Sequence, residues 1–374
     1  MLVRFRAVVT SSSRSLAGNS KVSARLYDGV GDSRLSRHRM EVPNFVRRAA
    51  KLLSIVALLA LLLPALLPAQ DEPNLDAKQR LFAEVGAGFR AIRRGPSGRY
   101  YVLTAPGAAV LIFDSSGKKI AQVPAQSSGS AAINFGAALD VDAAGQVYVA
   151  DRGGNAVKVY APDGSLAERI AVAEPIGVAV LPDGEIAVAA MKSDSLITVY
   201  DKQGQVVRSF GEREDLAASV DLNRLLNFGY LISDAAGNLY YAFEYMPEPT
   251  VRKYDRAGYL SGDFSLSTPD LEGMSQSARR EIARASSGAV ISPHEIVSAI
   301  GVDSAAQEIW LALGDMLLRV SPAGDILSTV RTYSPSGARI ESRYILVEPD
   351  RLLLGSDPLG VFPVVPKDWH APAR

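Results

Sequence analysis

Residues 138–170 read ALDVDAAGQVYVADRGGNAVKVYAPDGSLAERI, and this stretch decides the fold. Leu139 and Val141 alternate with Asp140 and Asp142. Val147 and Val149 alternate with Tyr148 and Ala150, Val157 and Val159 alternate with Lys158 and Tyr160, and Leu166 and Ile170 close the unit. Turn formers separate the runs: Ala143-Ala144-Gly145, Gly153-Gly154-Asn155 and Pro162-Asp163-Gly164. Apolar residues at period two between such clusters predict short strands joined by hairpins. The stretch reads as four antiparallel strands of one small sheet.

Related units lie on both sides, at residues 91–123, 175–210, 228–264, 296–330 and, shorter, 344–367. Two turn glycines set an internal ruler. Gly98 and Gly117 are 19 residues apart, Gly145 and Gly164 19, Gly184 and Gly204 20, and Gly237 and Gly258 21. In the fifth copy Ala306 takes the first place, 18 residues before Gly324. From one copy's second turn to the next copy's first turn, the distance varies from 20 to 48 residues. A constant unit with variable connections predicts a modular array rather than chance hairpins. A four-stranded sheet recurring about every 40 residues is the pattern of a propeller blade, because one thin sheet needs a neighbour on each face. The expected fold is all-β: a six-bladed β-propeller of four-stranded antiparallel blades. The sixth copy has only three clear strands. An N-terminal strand over residues 80–86, RLFAEVG, is expected to close that last blade and cover its edge.

Residues 142–151, 155–160 and 162–164, with Pro175-Ile176-Gly177-Val178 and Pro182-Asp183-Gly184, resemble the NHL repeat of six-bladed propellers. The resemblance spans residues 91–370 and is strongest in the second and third copies. The third copy departs from it at Ala190-Met191-Lys192, where the second has Ala150-Asp151-Arg152. What it implies is the six-bladed fold. It implies no single activity, since such propellers include binding scaffolds, lyases and lactone hydrolases.

The chain has 374 residues, 48% of them hydrophobic, with 31 Gly and 21 Pro, which is enough core and turn material for one large all-β domain. Cys is absent, which excludes disulfides, thiolate metal sites and a cysteine nucleophile. Residues 52–69, LLSIVALLALLLPALLPA, follow Arg47, Arg48 and Lys51 and precede Asp71 and Glu72. A basic flank, an apolar run and a switch to polar sequence predict a secretory signal over residues 40–70. A membrane anchor is the alternative, since the run approaches spanning length. Residues 1–39 are polar and without periodicity, and translation is expected to start at Met40. The domains expected are therefore a disordered or non-native extension at 1–39, the signal at 40–70 and a propeller over 71–374 with a helical insertion at 265–295. The first 70 residues hold 11 Lys and Arg against 3 Asp and Glu, so the rest carries 29 basic and 37 acidic residues. This mildly acidic domain argues against nucleic acid as partner.

Strand order assigns the two faces. Every short Asp-Gly-type turn falls on one face. The second-to-third-strand loops and the blade connections fall on the other, where variable loops on a rigid scaffold carry function. Candidate ligand contacts there are Arg152, Asn155, Lys192, Asp194, Glu244, Tyr245, Glu248, His294 and Glu295. Asn155 also reads as a turn residue. In the insertion, Thr268 and Pro269 predict a helix start, and Leu271, Met274, Ala278 and Ile282 form one stripe that packs onto the disc. No GxSxG, HExxH or Gly-rich phosphate loop is present. The first reading is an exported propeller that binds a peptide, glycan or protein without a cofactor. The alternative is a hydrolase or lyase with an axial calcium held by carboxylates from several blades. An anchored interaction domain is the third reading, should the apolar run be retained.

Overall fold

A computed structural model of the chain describes residues 74–85, 88–126, 128–288, 293–356 and 360–366. The expected signal, extension and start site lie outside the described residues. Among the described residues no helix is long and apolar enough to cross a membrane.

Six antiparallel sheets follow one another. Blade one is β2–β5 (Phe89–Arg94, Tyr100–Thr104, Val110–Phe113, Lys119–Val123), and blade two is β6–β9 (Gly136–Val141, Val147–Asp151, Ala156–Tyr160, Leu166–Ala171). Blade three is β10–β13 (Pro175–Val180, Ile186–Ala190, Ile197–Tyr200, Val206–Phe210). Blade four is β14–β17 (Gly229–Ser233, Leu239–Phe243, Thr250–Tyr254, Leu260–Ser265), and blade five is β18–β21 (Ala299–Asp303, Glu308–Leu313, Met316–Val320, Ile326–Tyr333). Blade six is β22–β24 (Tyr344–Val347, Leu352–Ser356, Gly360–Val364). The first strands β2, β6, β10, β14, β18 and β22 touch in turn, and β22 returns to β2, so the ring closes.

The core explains why the units need each other. It divides into six clusters, each shared by two adjacent blades. Leu103 and Val110 of blade one pack with Val147 and Val149 of blade two, and Leu353 of blade six packs with Ile92 and Val102 of blade one. Middle strands such as β7 and β15 are buried along their whole length, because both faces of each blade are covered. Outer strands such as β9 and β17 alternate between exposed and half-buried residues. Lys158 and Tyr160, which alternate with Val157 and Val159, are buried as well.

The turn glycines Gly145, Gly184 and Gly237 have φ of 83°, 87° and 85°, the left-handed region that an L side chain resists. In blade five the left-handed position is Gln307 at φ 57°, not Ala306, because that turn is one residue longer. Asp142 and Asp234 each brace their turn by accepting the amides two and four residues on. A bulge between the third and fourth strands recurs in all five four-stranded blades.

The N-terminal chain does more than close one blade. Strand β1 (Asn74–Asp76) pairs in parallel with β21 on the outside of blade five. Leu75 and Ala77 enter the core between blades five and six. Leu81 then bridges antiparallel to Val361 of β24, its amide donating to the Val361 carbonyl at 2.8 Å. Among the described residues 80–85 of the expected closing strand, pairing with the last blade is the single bridge at Leu81. Phe82 supplies the packing, with its ring 4.7 Å from Phe113 and 5.2 Å from Tyr100 in the seam between blades six and one.

Two helices sit in the long connections. Helix α1 (Val220–Leu226) joins blades three and four and is capped by Ser219, whose hydroxyl accepts the Leu222 amide. Helix α2 (Pro269–Ser286) joins blades four and five. Thr268 occupies its cap position, but its side chain accepts no capping hydrogen bond. Leu271 and Ala278 are buried against blades four and five, and Met274 packs beside them.

Candidate functional site

The first strand of each blade enters the disc from the loop-rich face, so the starts of these strands surround the axis on that side. A cavity of about 500 Å³ lies there, lined by residues from all six first strands. Its wall includes the apolar residues Phe89, Ala137, Leu139, Ile176, Leu231 and Ile300. Toward the tight-turn face it is crossed by a polar link. Arg93 Nε donates to Asp140 Oδ1 at 3.0 Å, and Asp140 Oδ2 accepts the Val180 amide at 2.7 Å, joining blades one, two and three.

The mouth carries the charge. Arg90, Arg152 and Arg343 line it with Glu244, Glu295, Tyr230, Phe135 and Phe228. Glu295 is engaged on both oxygens: the Tyr230 hydroxyl donates to Oε1 at 3.1 Å, and Arg343 pairs with Oε2. Burial raises the Tyr230 hydroxyl well above its ordinary value, so it remains a donor. The Glu244 side chain is buried, and burial raises its carboxyl above the usual glutamate value, although the Tyr245 hydroxyl and the Arg343 charge pull it back. Burial, then the nearby Glu244, pushes Tyr245 up. Arg90 lies 4.2 Å over the ring of Phe135.

Local structure holds these groups in place. Arg152 begins the tight turn Arg152–Gly154 between β7 and β8. Beneath it, the Asp151 carboxylate accepts the amides of Phe135 at 2.8 Å and of Asn134 and Gly154 at 3.1 Å. A Cβ at Gly154 would run into that carboxylate, so only glycine fits. The Glu244 carbonyl accepts the Ile296 amide at 2.8 Å, which docks the end of the long insertion and brings Glu295 to the mouth.

Of the nine candidate contacts, the cavity gathers Arg152, Glu244 and Glu295, with Tyr245 behind Glu244. The others lie off it. Asn155 adopts the left-handed conformation at φ 47°, and its side chain accepts the Glu174 amide at 3.0 Å, which is turn chemistry. Lys192 pairs with Glu174 at 2.8 Å. Glu248 pairs with Arg279 of α2. Asp194 and His294 are exposed, and the His294 backbone amide donates to Glu281. Sequence reasoning missed Arg90, Tyr230 and Arg343. Each lies at the start of a first strand, so a search of strand starts as well as loops finds them.

No family model matches the chain, and no curated protein matches it. Among solved structures it is similar to virginiamycin B lyase from Staphylococcus aureus, at 13% identity and TM-score 0.48, over 77% of this chain and 87% of that one. It is also similar to a streptogramin B lyase, at 10% identity and TM-score 0.49, over 75% and 94% of the two chains. A third is the extracellular domain of a putative one-component system from B. thetaiotaomicron, at 12% identity and TM-score 0.47, over 76% of this chain and 34% of that one.

Proposed function

We propose that this chain is an exported binding propeller of the NHL type that holds part of a peptide, glycan or protein partner in its axial cavity. One observation carries the reading: a cavity of about 500 Å³ opens among the loops, with an apolar wall and a charged rim. That size and composition suit a ligand site, where apolar walls supply affinity and a few polar groups supply orientation. Export rests on the apolar run at 52–69 and its basic flank; retention of that run would make the same propeller an anchored interaction domain.

The donor set at the mouth does not fit calcium. Such an ion takes six to eight oxygen ligands, whereas this rim offers Glu244 and Glu295 among three arginines, and Glu295 is already paired. No step through a metal is therefore derived. The test is a melting screen of the purified protein with peptide and glycan pools, run beside Ala137→Trp, which fills the cavity. A ligand of the axial site raises the melting temperature of the native chain and not of the variant. Stabilisation that persists in Ala137→Trp places binding elsewhere.

A further inference from the structure

Resting on that reading of the axial cavity, we infer that its mouth recognises a carboxylate borne on an apolar body, with Arg152 receiving the carboxylate. The cations at the rim are not equivalent. Arg343 is committed to Glu295, and Arg90 is stacked on Phe135. The half-buried Arg152 side chain makes no hydrogen bond or ion pair among the described residues, although it lines the cavity. The acid whose charge it influences, Glu174, is paired with Lys192. A guanidinium in a partly desolvated rim with its donors unused is a receptor for an anion.

The neighbours select which anion. Arg343 already balances the Glu295 charge, so Arg152 presents one planar donor fork to an incoming anion. Carboxylate geometry matches the planar two-pronged donor edge of arginine. The Tyr230 and Tyr245 hydroxyls are spent on Glu295 and Glu244, so the Arg152 fork is the donor left for the anion. Below the rim the wall is apolar, through Ile176, Leu231 and Ile300. A head that is charged and a body that is not can both be satisfied only by an amphiphilic acid. Its source is either the C-terminal end of an apolar peptide or a small apolar acid.

The probes are N-acetyl-leucyl-phenylalanine with its C-terminal amide, and 4-phenylbutyrate with its amide, titrated by calorimetry into the full chain. An acid is expected to bind at least about 10-fold more tightly than its amide, since the amide leaves the guanidinium without a charged partner. Arg152→Gln should abolish that difference, while Arg280→Gln on the exposed face of α2 should preserve it. Preference confined to the peptide pair assigns a chain end, and preference in the phenylbutyrate pair alone assigns a small acid. The inference is overturned if acid and amide bind alike, if the preference survives Arg152→Gln, or if neither acid binds. Equal binding that Ala137→Trp removes leaves the cavity reading standing and the carboxylate assignment refuted; binding that survives Ala137→Trp refutes the cavity reading itself.

Discussion

Lys158 Nζ lies 2.9 Å from Asp151 Oδ2, and both side chains are withdrawn from solvent, at 4% and 0% exposure. This ion pair sits directly beneath the site. Lys158 also donates to the Ala132 carbonyl, and Asp151 collects the amides of Asn134, Phe135 and Gly154. Two charges therefore tie the connection between blades one and two, which bears Phe135, to the turn that bears Arg152. Neither group stabilises the fold by charge alone. Taking each from water is costly, and the surrounding amides and carbonyl offset that cost.

Lys158→Met should destabilise the protein by about 3–5 kcal/mol, because it strands a buried carboxylate. Burial opposes ionisation of Asp151, but the Phe135 amide, Lys158 and the Asn134 amide outweigh it and hold the carboxyl below its ordinary value. A depressed acid contributes stability that is complete above its unfolded value and is lost as pH falls through its folded value. Native protein should therefore lose part of its denaturation midpoint below about pH 4. Urea titrations of both proteins across acid pH check this. A Lys158→Met midpoint equal to the native one would refute the account.

Phe82→Ala should cost about 3–5 kcal/mol, as for a buried aromatic truncated in a packed core. The ring is 6% exposed and wedged in the closing seam. Val207→Ala, on the exposed outer strand of blade three, should change stability by no more than about 0.5 kcal/mol. Equal melting temperatures for the two variants would show that the N-terminal chain does not fasten the ring.

Glu348 fastens the same seam from the other side. Its side chain is 1% exposed; Oε1 accepts Arg94 at 2.8 Å and the Tyr100 hydroxyl at 2.7 Å, and Oε2 accepts Arg351 at 2.7 Å. Glu348→Ala leaves two guanidiniums and a phenol without their acceptor, at a cost of about 3–5 kcal/mol. Burial, then the bond to Glu348, raises Tyr100 above its ordinary value. Ultraviolet titration should therefore show Tyr100 ionising at lower pH in Glu348→Ala. An unchanged tyrosine titration would remove Glu348 from that role.

The blades were legible because each repeat must solve the same turn problem, and glycine at φ near 85° marks the solution in blades two, three and four. Blade five concealed its turn by lengthening it and placing Gln307 there, a residue with no sequence signature for that geometry. Asn74-Leu75-Asp76 has no strand pattern either; its pairing with β21 follows from the exposed edge of blade five. Arg152 and Glu244 could be found because they follow strand ends on the variable face, and Glu295 because it ends the long insertion there. Arg90 and Arg343 were missed because only loops were searched; they sit at the starts of first strands, and the closing of six sheets brings them to one cavity. The burial of Lys158 was not legible in the pattern for a related reason. Period-two patterning marks the two faces of a strand, but in a ring of blades both faces are interior.

Glu244 supplies the remaining prediction. Burial raises its carboxyl, with Tyr245 and Arg343 opposing the shift. A raised acid binds its proton more tightly in the folded state. Its contribution to stability is complete below the ordinary glutamate value and is lost as pH rises through the folded one. Glu244→Gln keeps the shape and cannot ionise. The variant and native chains should melt together at about pH 4, and the variant should melt higher at about pH 8, where the native carboxylate must be charged in a desolvated site. The groups facing Glu244 sharpen the contrast: Tyr245, Tyr230, Arg343 and Glu295 persist in both proteins, so a pH-dependent gap between them belongs to this carboxyl. Melting curves that run parallel from acid to alkaline pH would mean that burial does not raise the Glu244 carboxyl.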